Sequence, residues 1–252
     1  MNREKTSQIQ VIDRMAGLLD ALAAQDRGTS LKILSAETGL HPSSAFRILA
    51  SLIQHGFVAR DETGLYVLGP HLLGLAAKVR EGLDVRAVAR PEMDLLCDQL
   101  GETVNLSVRQ GDEMIYVERV SPNRMMRVEQ VIGSRAPLHV TAVGKLMLGE
   151  AGAAATRDYA RRTGLPAYTP NSLHEVRSLL ENTRSGTARG YALDDEEAEL
   201  GVGCIGALVR DASGAAVAGL SVSAPIERRR MEWVPLVQEA ARKISAHLGF
   251  AG

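Results

Sequence analysis

The chain has 252 residues, of which 45% are hydrophobic and 23% are charged. This length predicts two domains, since a domain usually holds about 100–200 residues, and the composition excludes a largely disordered, collagenous or mucin-like protein. The 29 Lys and Arg residues and 30 Asp and Glu residues give a net charge of −1. The total charge therefore neither favours nor excludes a polyanionic partner, and a nucleic-acid site must be sought in the local distribution of charge.

The cysteine pattern and the hydropathy predict a protein of the reducing cytoplasm. Cys97 and Cys204 lie far apart and form no CxxC pair, which excludes a disulfide framework and a thiolate zinc site. No apolar signal-peptide core follows the N-terminus, and no stretch approaches the ~20 apolar residues of a membrane span. We expect a cytoplasmic protein that is not membrane-embedded and that uses neither a metal nor a cofactor.

The first part of the chain predicts three helices and a β-hairpin. The predicted helices cover residues 9–24, 31–38 and 42–54, and the predicted strands cover 57–60 and 65–68. In the first helix, apolar residues recur at three- and four-residue intervals, as one buried helix face requires. Ser30 is a suitable N-cap for the second helix and Gly39 ends it. Pro42 is favourable at the first position of the third helix, and the turn 61–64 joins the strands.

The remainder predicts a linker followed by a mixed α+β domain. A helix over 72–90 is expected to continue past Pro91 into a second helix over 92–100, after which the pattern becomes strand-like. The further elements are strands at 103–109 and 114–120, a segment at 125–132, helices near 144–149 and over 173–184, strands at 204–210 and 218–223, and a closing helix over 231–248. The predicted domain boundaries are 1–70, 71–90 for the linker helix, and 91–252.

The second and third helices are typical of a helix-turn-helix, whose second helix enters the DNA major groove. From Thr38 to Arg60 the chain has no Asp or Glu, although over residues 1–70 seven basic residues balance seven acidic ones. Local phosphate contacts, doubled by dimerisation, must therefore provide the affinity. The predicted DNA contacts are His41, Ser43, Ser44, Arg47 and Arg60.

Ser43, Ser44 and Arg47 lie in the first turns of the third helix, where side chains reach base edges, and Arg47 can make a bidentate contact to guanine. The hairpin forms a wing that places Arg60 near the DNA backbone or the minor groove. The alternative is that Ser43 and Ser44 only cap the helix and that Arg47 is an ordinary solvated charge.

Several ordered blocks resemble the IclR family of bacterial transcription regulators over nearly the full chain. In the first domain they are TGL at 38–40 with SS at 43–44 and RIL at 47–49, GFVARD at 56–61, and YVLGP at 66–70. In the second they are APLH at 136–139, TA at 141–142, GK at 144–145, GYA at 190–192, DDEE at 194–197, GVGCI at 201–205, and LSVSAP at 220–225. Two residues depart from the family pattern. Phe46 lies in the predicted recognition helix and leaves the operator sequence open. Leu208 stands where proline is frequent and affects the shape of the pocket.

The resemblance implies a winged helix-turn-helix, a linker helix that helps it to dimerise, and a GAF-like effector-binding domain. It also implies a homodimer or homotetramer that binds a palindromic double-stranded DNA operator, and a small organic acid or related metabolite as effector. We expect a repressor of a catabolic operon.

The effector pocket is predicted to offer hydroxyl and backbone N–H groups. Ser221 and Ser223 point to the same face of one strand. The resemblance adds Asp195, Cys204 and the main chain of Ala136, Pro137 and Leu138. Cys204 has the alternative role of a small buried hydrophobe, and the acidic run 194–199 that of a solvated loop. The choice of Asp195 over its neighbour Asp194 stays open.

An enzyme or a pure metabolite-binding protein is the alternative class. Residues 201–206 spell GxGxxG, but an acidic stretch precedes them and a β-rich stretch follows, whereas a dinucleotide site needs a strand before and a helix after. Cys204 as a nucleophile needs a histidine base, and neither His139 nor His174 has a diagnostic spacing to it. We therefore expect a regulator without enzyme activity, and a hydrogen-bonded structural role for His139.

Overall fold

The computed structural model describes residues 9–25, 27–82 and 84–251. The chain divides into two compact units, residues 1–82 and 83–252. The predicted boundaries at residues 70 and 90 stay a prediction, and residues 1–8, which bear on the expected absence of an export signal, lie outside the described residues. None of the helices in these ranges combines the length and the hydropathy that a membrane span requires.

The first unit has the predicted order of three helices and a hairpin. Its elements are α1 (Gln10–Ala23), α2 (Leu31–Thr38), α3 (Pro42–Gln54), β1 (Val58–Arg60), β2 (Tyr66–Leu68) and α4 (His71–Gly82). Ser30 Oγ accepts a hydrogen bond from the Ile33 N–H (3.4 Å) and begins α2. Gly39 ends that helix with a φ of +66°, a backbone region in which a Cβ is unfavourable. Leu18, Leu34 and Leu49 lie at the centre of the shared core.

The predicted break in the linker helix is wrong. The chain leaves α4 at Gly82 and begins α5 (Val85–Leu100) at Asp84, whose carboxylate accepts a hydrogen bond from the Arg86 N–H (3.0 Å). Pro91 therefore lies inside α5, where it removes one backbone donor. Buried Met93 and Leu96 pack α5 into the core of the second unit, and this packing outweighs the local preference of proline to end a helix.

The second unit is built on a six-stranded antiparallel sheet with the order β5-β4-β3-β8-β7-β6. In chain order after α5 its elements are β3 (Thr103–Gln110), β4 (Glu113–Val120), β5 (Arg135–Pro137), α6 (Ala142–Thr163), α7 (Val176–Arg189), β6 (Ala192–Asp195), β7 (Val202–Arg210), β8 (Ala216–Pro225) and α8 (Val234–His247). The expected α+β class is confirmed. The short strands β5 and β6 were not expected, and residues 125–132 form no strand.

The two faces of this sheet differ in chemistry because successive residues of a strand point to opposite sides. On one face Leu106, Ile205 and Val222 pack in the same apolar core as α5 and α8. The register places polar residues on the opposite face: Asn105, Ser107, Asp194, Cys204, Ser221 and Ser223. All six are buried. Burying so many polar groups on one face is costly unless they find partners, which directs attention to that face.

Candidate functional site

The helix α3 presents the predicted DNA contacts from a firmly anchored backbone. Ala45, Leu49 and Leu52 are buried and fix one side of the helix in the core. Arg47 is exposed and makes no hydrogen bond or ion pair with any residue that the structure describes. His41 is the N-cap: its Nδ1 accepts from the Ser43 N–H (3.3 Å) and lies 2.8 Å from Ser43 Oγ. His41 thus has a structural role in beginning α3, whereas the Arg47 guanidinium is free for a partner.

Arg60 is held within the wing, which is the hairpin of β1 and β2. Its Nη1 donates to the Gly64 carbonyl (2.8 Å) and its Nη2 to the Tyr66 hydroxyl (2.7 Å). Its guanidinium carbon lies 4.3 Å from the centre of the Tyr66 ring, a cation–π contact. These contacts orient an exposed cation on the wing, where the sequence predicted it.

A small cavity lies on the polar face of the sheet in the second unit. Its volume is about 10 Å³, room for about one water molecule. It is lined by Ser107, Met114, Tyr116, Thr141, Ala142, Val143, Asp194, Cys204 and Ser221. The Ser221 hydroxyl makes no hydrogen bond with the described residues. A ligand of several atoms therefore requires side chains around the cavity to move outwards.

The N-terminus of α6 forms one wall of this cavity. Thr141 caps the helix by accepting the Gly144 N–H on its hydroxyl (3.2 Å). The N–H groups of Ala142 and Val143 come first in the helix and have no acceptor within it. Together with the helix dipole, such N–H groups favour an anion. This segment was not predicted to line the pocket, although a threonine just before a helical pattern is a recognisable N-cap signal.

Two glycines allow α6 to approach the sheet this closely. A Cβ on Gly219 of β8 would lie 1.8 Å from Val143 Cγ1, and one on Gly206 of β7 would lie 2.9 Å from Val143 Cγ2. No side chain fits at either position. The last glycine of the GxGxxG sequence thus serves helix packing, and the sequence runs into β7, not into a helix.

Three buried ionisable side chains, Lys145, Glu197 and Asp194, lie at or beside the cavity. Lys145 of α6 is completely buried and forms an ion pair with Glu197. Asp194 Oδ1 accepts the Glu197 N–H (2.8 Å). Burial raises the pKa of Asp194 to about 6, with hydrogen bonds from the backbone N–H groups opposing the shift. Burial also raises the pKa of Glu197, while Lys145 opposes that shift.

The structure places Asp194, and not Asp195, at the cavity. Asp194 and Cys204 pair across β6 and β7 and share a face. Asp195 is exposed and forms an ion pair with Arg229. The two-residue period of a strand decides between the neighbours, and β6 was not recognised in the sequence.

The predicted main-chain contacts at Ala136, Pro137 and Leu138 are not brought to the cavity either. Ala136 and Pro137 belong to the edge strand β5, and Leu138 is buried in the apolar cluster beneath α6. The main chain that lines the cavity belongs instead to residues 141–143, a few residues later in the chain.

Cys204 and Ser223 meet in a buried hydrogen-bond network. Cys204 Sγ lies 3.2 Å from Ser223 Oγ, which also accepts a hydrogen bond from Asn105 Nδ2 (3.1 Å). Burial and the nearby Asp194 raise the pKa of the Cys204 thiol, which keeps it protonated. Ser223 does not line the cavity, so of the two predicted serines only Ser221 faces it.

His139 lies in a buried hydrogen-bond network that does not include Cys204. Its Nδ1 lies 2.7 Å from the Tyr159 hydroxyl and its Nε2 lies 3.0 Å from the Pro166 carbonyl oxygen. Burial lowers its pKa, so the neutral ring is favoured. These contacts agree with the structural role expected for it. Among the described residues, no cluster of His, Cys, Asp or Glu could hold a metal ion.

Two family profiles match the chain. That of the IclR helix-turn-helix domain matches residues 11–62, and that of the bacterial transcriptional regulator IclR C-terminal domain matches residues 77–246. The chain belongs to the IclR family. The resemblance inferred from the sequence blocks is thereby confirmed, and the chain is a DNA-binding transcriptional regulator.

Individual IclR-family proteins match over nearly their full length. The transcriptional repressor IclR of Escherichia coli K12 is 30% identical over 251 residues, which cover 97% of this chain and 92% of that protein. The repressor BlcR of Agobacterium tumefaciens superposes with a TM-score of 0.79 at 28% identity, over 98% of this chain and 100% of its own. An IclR homologue from Microbacterium hydrocarbonoxydans, crystallised with 4-hydroxybenzoate, shares the fold with a TM-score of 0.62 at 23% identity, over 94% and 98% of the two chains.

Proposed function

We propose that this chain is a repressor of a catabolic operon and that its operator affinity changes when a small organic acid binds beside the N-terminus of α6. It acts as a homodimer or homotetramer on a palindromic operator in the cytoplasm. The observation that supports the effector class most is the combination of free N–H groups at Ala142 and Val143 with the unpartnered hydroxyl of Ser221. These neutral donors suit a carboxylate.

The rest of the cavity limits what the acid can be. Lys145 is already paired with Glu197, so it offers no free cation. Met114 and Val143 supply apolar contact. The 4-hydroxybenzoate complexed with the Microbacterium homologue is an acid of this kind, with one carboxylate on an apolar body. Its presence there supports a test of aromatic as well as aliphatic carboxylates.

We also propose that the chain has no enzyme activity of its own. A cysteine nucleophile needs a depressed thiol pKa or an adjacent base. Burial keeps the Cys204 thiol protonated, and its hydrogen-bond partner is Ser223, not a histidine. Turnover of a metabolite by the purified chain would contradict this part of the proposal.

Thermal-shift screening against small carboxylates, followed by footprinting of the DNA upstream of the chain's own gene, tests the proposal. Arg47→Ala should abolish the specific footprint and leave the ligand-induced thermal shift intact, because Arg47 contributes no internal contact. An unchanged operator affinity would refute the role of Arg47.

The serines provide a matched pair for the effector cavity. Ser221→Ala should remove the thermal shift, and so should Ser221→Ala combined with Ser223→Ala. Ser223→Ala alone should retain most of it, because the Ser223 hydroxyl does not line the cavity. A full-sized shift in the double variant would contradict the proposed site.

A further inference from the structure

We propose that a groove between α1 and α3 binds the phosphate backbone of DNA and that Arg14 is a phosphate contact beside the base-reading Arg47. The groove has a volume of about 440 Å³. It is lined by Val11, Arg14, Met15, Ser44, Arg47, Ile48, Ser51, Leu52, His55 and Phe57. We call it the α1–α3 groove. The inference rests on DNA binding by the first unit and adds a second anchoring surface to it.

The polar lining of the groove fits an anion. Its charged or chargeable side chains are Arg14, Arg47 and His55, its hydroxyls are Ser44 and Ser51, and neither Asp nor Glu lines it. Arg14 and Arg47 form no ion pair within the described part of the chain. Arg14 also borders a neighbouring depression that contains Asp13 and Glu37, but it pairs with neither. Two unpaired guanidinium groups in one groove repel each other unless an anion lies between them.

The position of the groove matches the path of a DNA strand. A helix with its side chains is about 10–12 Å wide and the major groove is about 12 Å wide, so a helix in it has a phosphate backbone along each flank. Arg47, Ser51 and His55 follow one another at four-residue intervals on the flank that faces α1. At a rise of 1.5 Å per residue they span about 12 Å. Arg47 thus marks the boundary between the base-reading surface and the groove.

The floor of the groove is apolar beside Arg14. Met15, Ile48 and Leu52 provide apolar surface, against which the aliphatic part of an arginine packs while its charged end stays in solvent. A guanidinium held in this way loses less side-chain entropy when it binds a phosphate. Phosphate contacts fix the register of a protein on DNA, and base contacts provide its specificity. Arg14 therefore positions α3 so that Arg47 can read its base.

The test measures DNA binding by the full chain as a function of salt. The probes are a 30-base-pair duplex of random sequence and a fragment of the DNA upstream of the chain's own gene, followed by fluorescence anisotropy between 50 and 300 mM NaCl. Arg14→Gln should weaken binding to both probes by about five- to tenfold and lower the salt slope by about one phosphate per subunit. Arg14→Lys should retain the slope, because it keeps the charge. His55→Gln and Ser51→Ala should weaken both probes less.

The control is Arg177→Gln, which removes the same charge from an exposed ion pair with Glu181 on α7. It should change neither the affinity nor the slope. Unchanged binding in Arg14→Gln, or a loss confined to the upstream fragment, would overturn the proposed phosphate contact. A dissociated oligomer in Arg14→Gln, measured by sedimentation, would assign the groove to a second copy of the chain and would also overturn it. A wild-type chain that binds neither probe would contradict the proposed function itself.

Discussion

The helix α3 and the cavity beside α6 are both suited to anions, but they treat charge in opposite ways. On α3, Arg47 is exposed and unpaired among the described residues, as the binding of a polyanion in salt solution requires. At the cavity the cation is Lys145, which is fully buried and neutralised by Glu197. An unpaired charge there would cost several kcal/mol of desolvation. In this chain the solvated anion site offers an unpaired cation, whereas the buried site offers neutral donors and keeps its cation paired with Glu197.

The largest expected effect comes from breaking the buried balance. Lys145→Met leaves Glu197 buried without its cation and should destabilise the second unit by about 3–5 kcal/mol. Urea unfolding of the full chain, followed by circular dichroism, measures this change. The exposed pair of Arg177 and Glu181 is the matched control, since Arg177→Met should cost less than about 1 kcal/mol.

A second substitution shows whether the loss comes from charge. Adding Glu197→Gln to Lys145→Met removes the orphaned carboxylate and should recover much of the stability. If the two variants are equally unstable, the effect arises from packing and the contrast between the two anion sites is weakened.

The next effect concerns Asp194 and depends on pH. Its pKa rises from an ordinary 3.8 to about 6, so ionising it costs up to about 3 kcal/mol more in the folded protein than in the unfolded chain. The folded state binds the proton more tightly, so this group should lower the stability as the pH rises from about 4 to 6, with little further change above. The Asp194→Asn variant has no carboxyl group to ionise at this position, so it should not show this fall in stability.

The measurement is the stability difference between Asp194→Asn and the wild type at several pH values. The variant should be more stable at pH 7.5 and equal to the wild type near pH 4. The groups that face Asp194 and could alter this profile are Glu197 in the loop after β6, Lys145 on α6, Cys204 on β7 and Tyr116 on β4. A difference that does not vary with pH would show that the pKa of Asp194 is the same in the folded protein and in the unfolded chain.

The sequence predicted the DNA-reading unit much better than the cavity. Local signals define the helices of that unit: Ser30 caps α2, Gly39 ends it and Pro42 begins α3, and all three predictions are confirmed. The cavity depends on contacts between distant segments. Asp194 faces the cavity, and Asp195 does not, because Asp194 of β6 pairs with Cys204 of β7. The strand β6 was not predicted from the sequence.

Long-range packing also explains the missed break in the linker. Pro91 is a strong local signal for the end of a helix. The apolar side of α5 nevertheless packs in the core of the second unit on both sides of it, at Ala89 and Met93. Neither this packing nor the close approach of α6 to Gly219 can be inferred from spacing along the chain.

The smallest of these effects tests the close contact between α6 and the sheet. Gly219→Ala places a methyl group 1.8 Å from Val143 Cγ1, so the α6 N-terminus must shift, at a cost of about 1–3 kcal/mol. Because the N–H groups of Ala142 and Val143 move with it, the variant should also lose the ligand-induced thermal shift.

The control is Gly74→Ala, in the helix α4 with open space around it. It should raise the free energy of unfolding by about 0.5–1 kcal/mol and keep the thermal shift. Adding Val143→Ala to Gly219→Ala should restore part of both losses. A Gly219→Ala protein with wild-type ligand response would show that the anion is bound by the sheet and not by the helix N-terminus, so that the cavity would lose its neutral backbone donors and with them its contrast to α3.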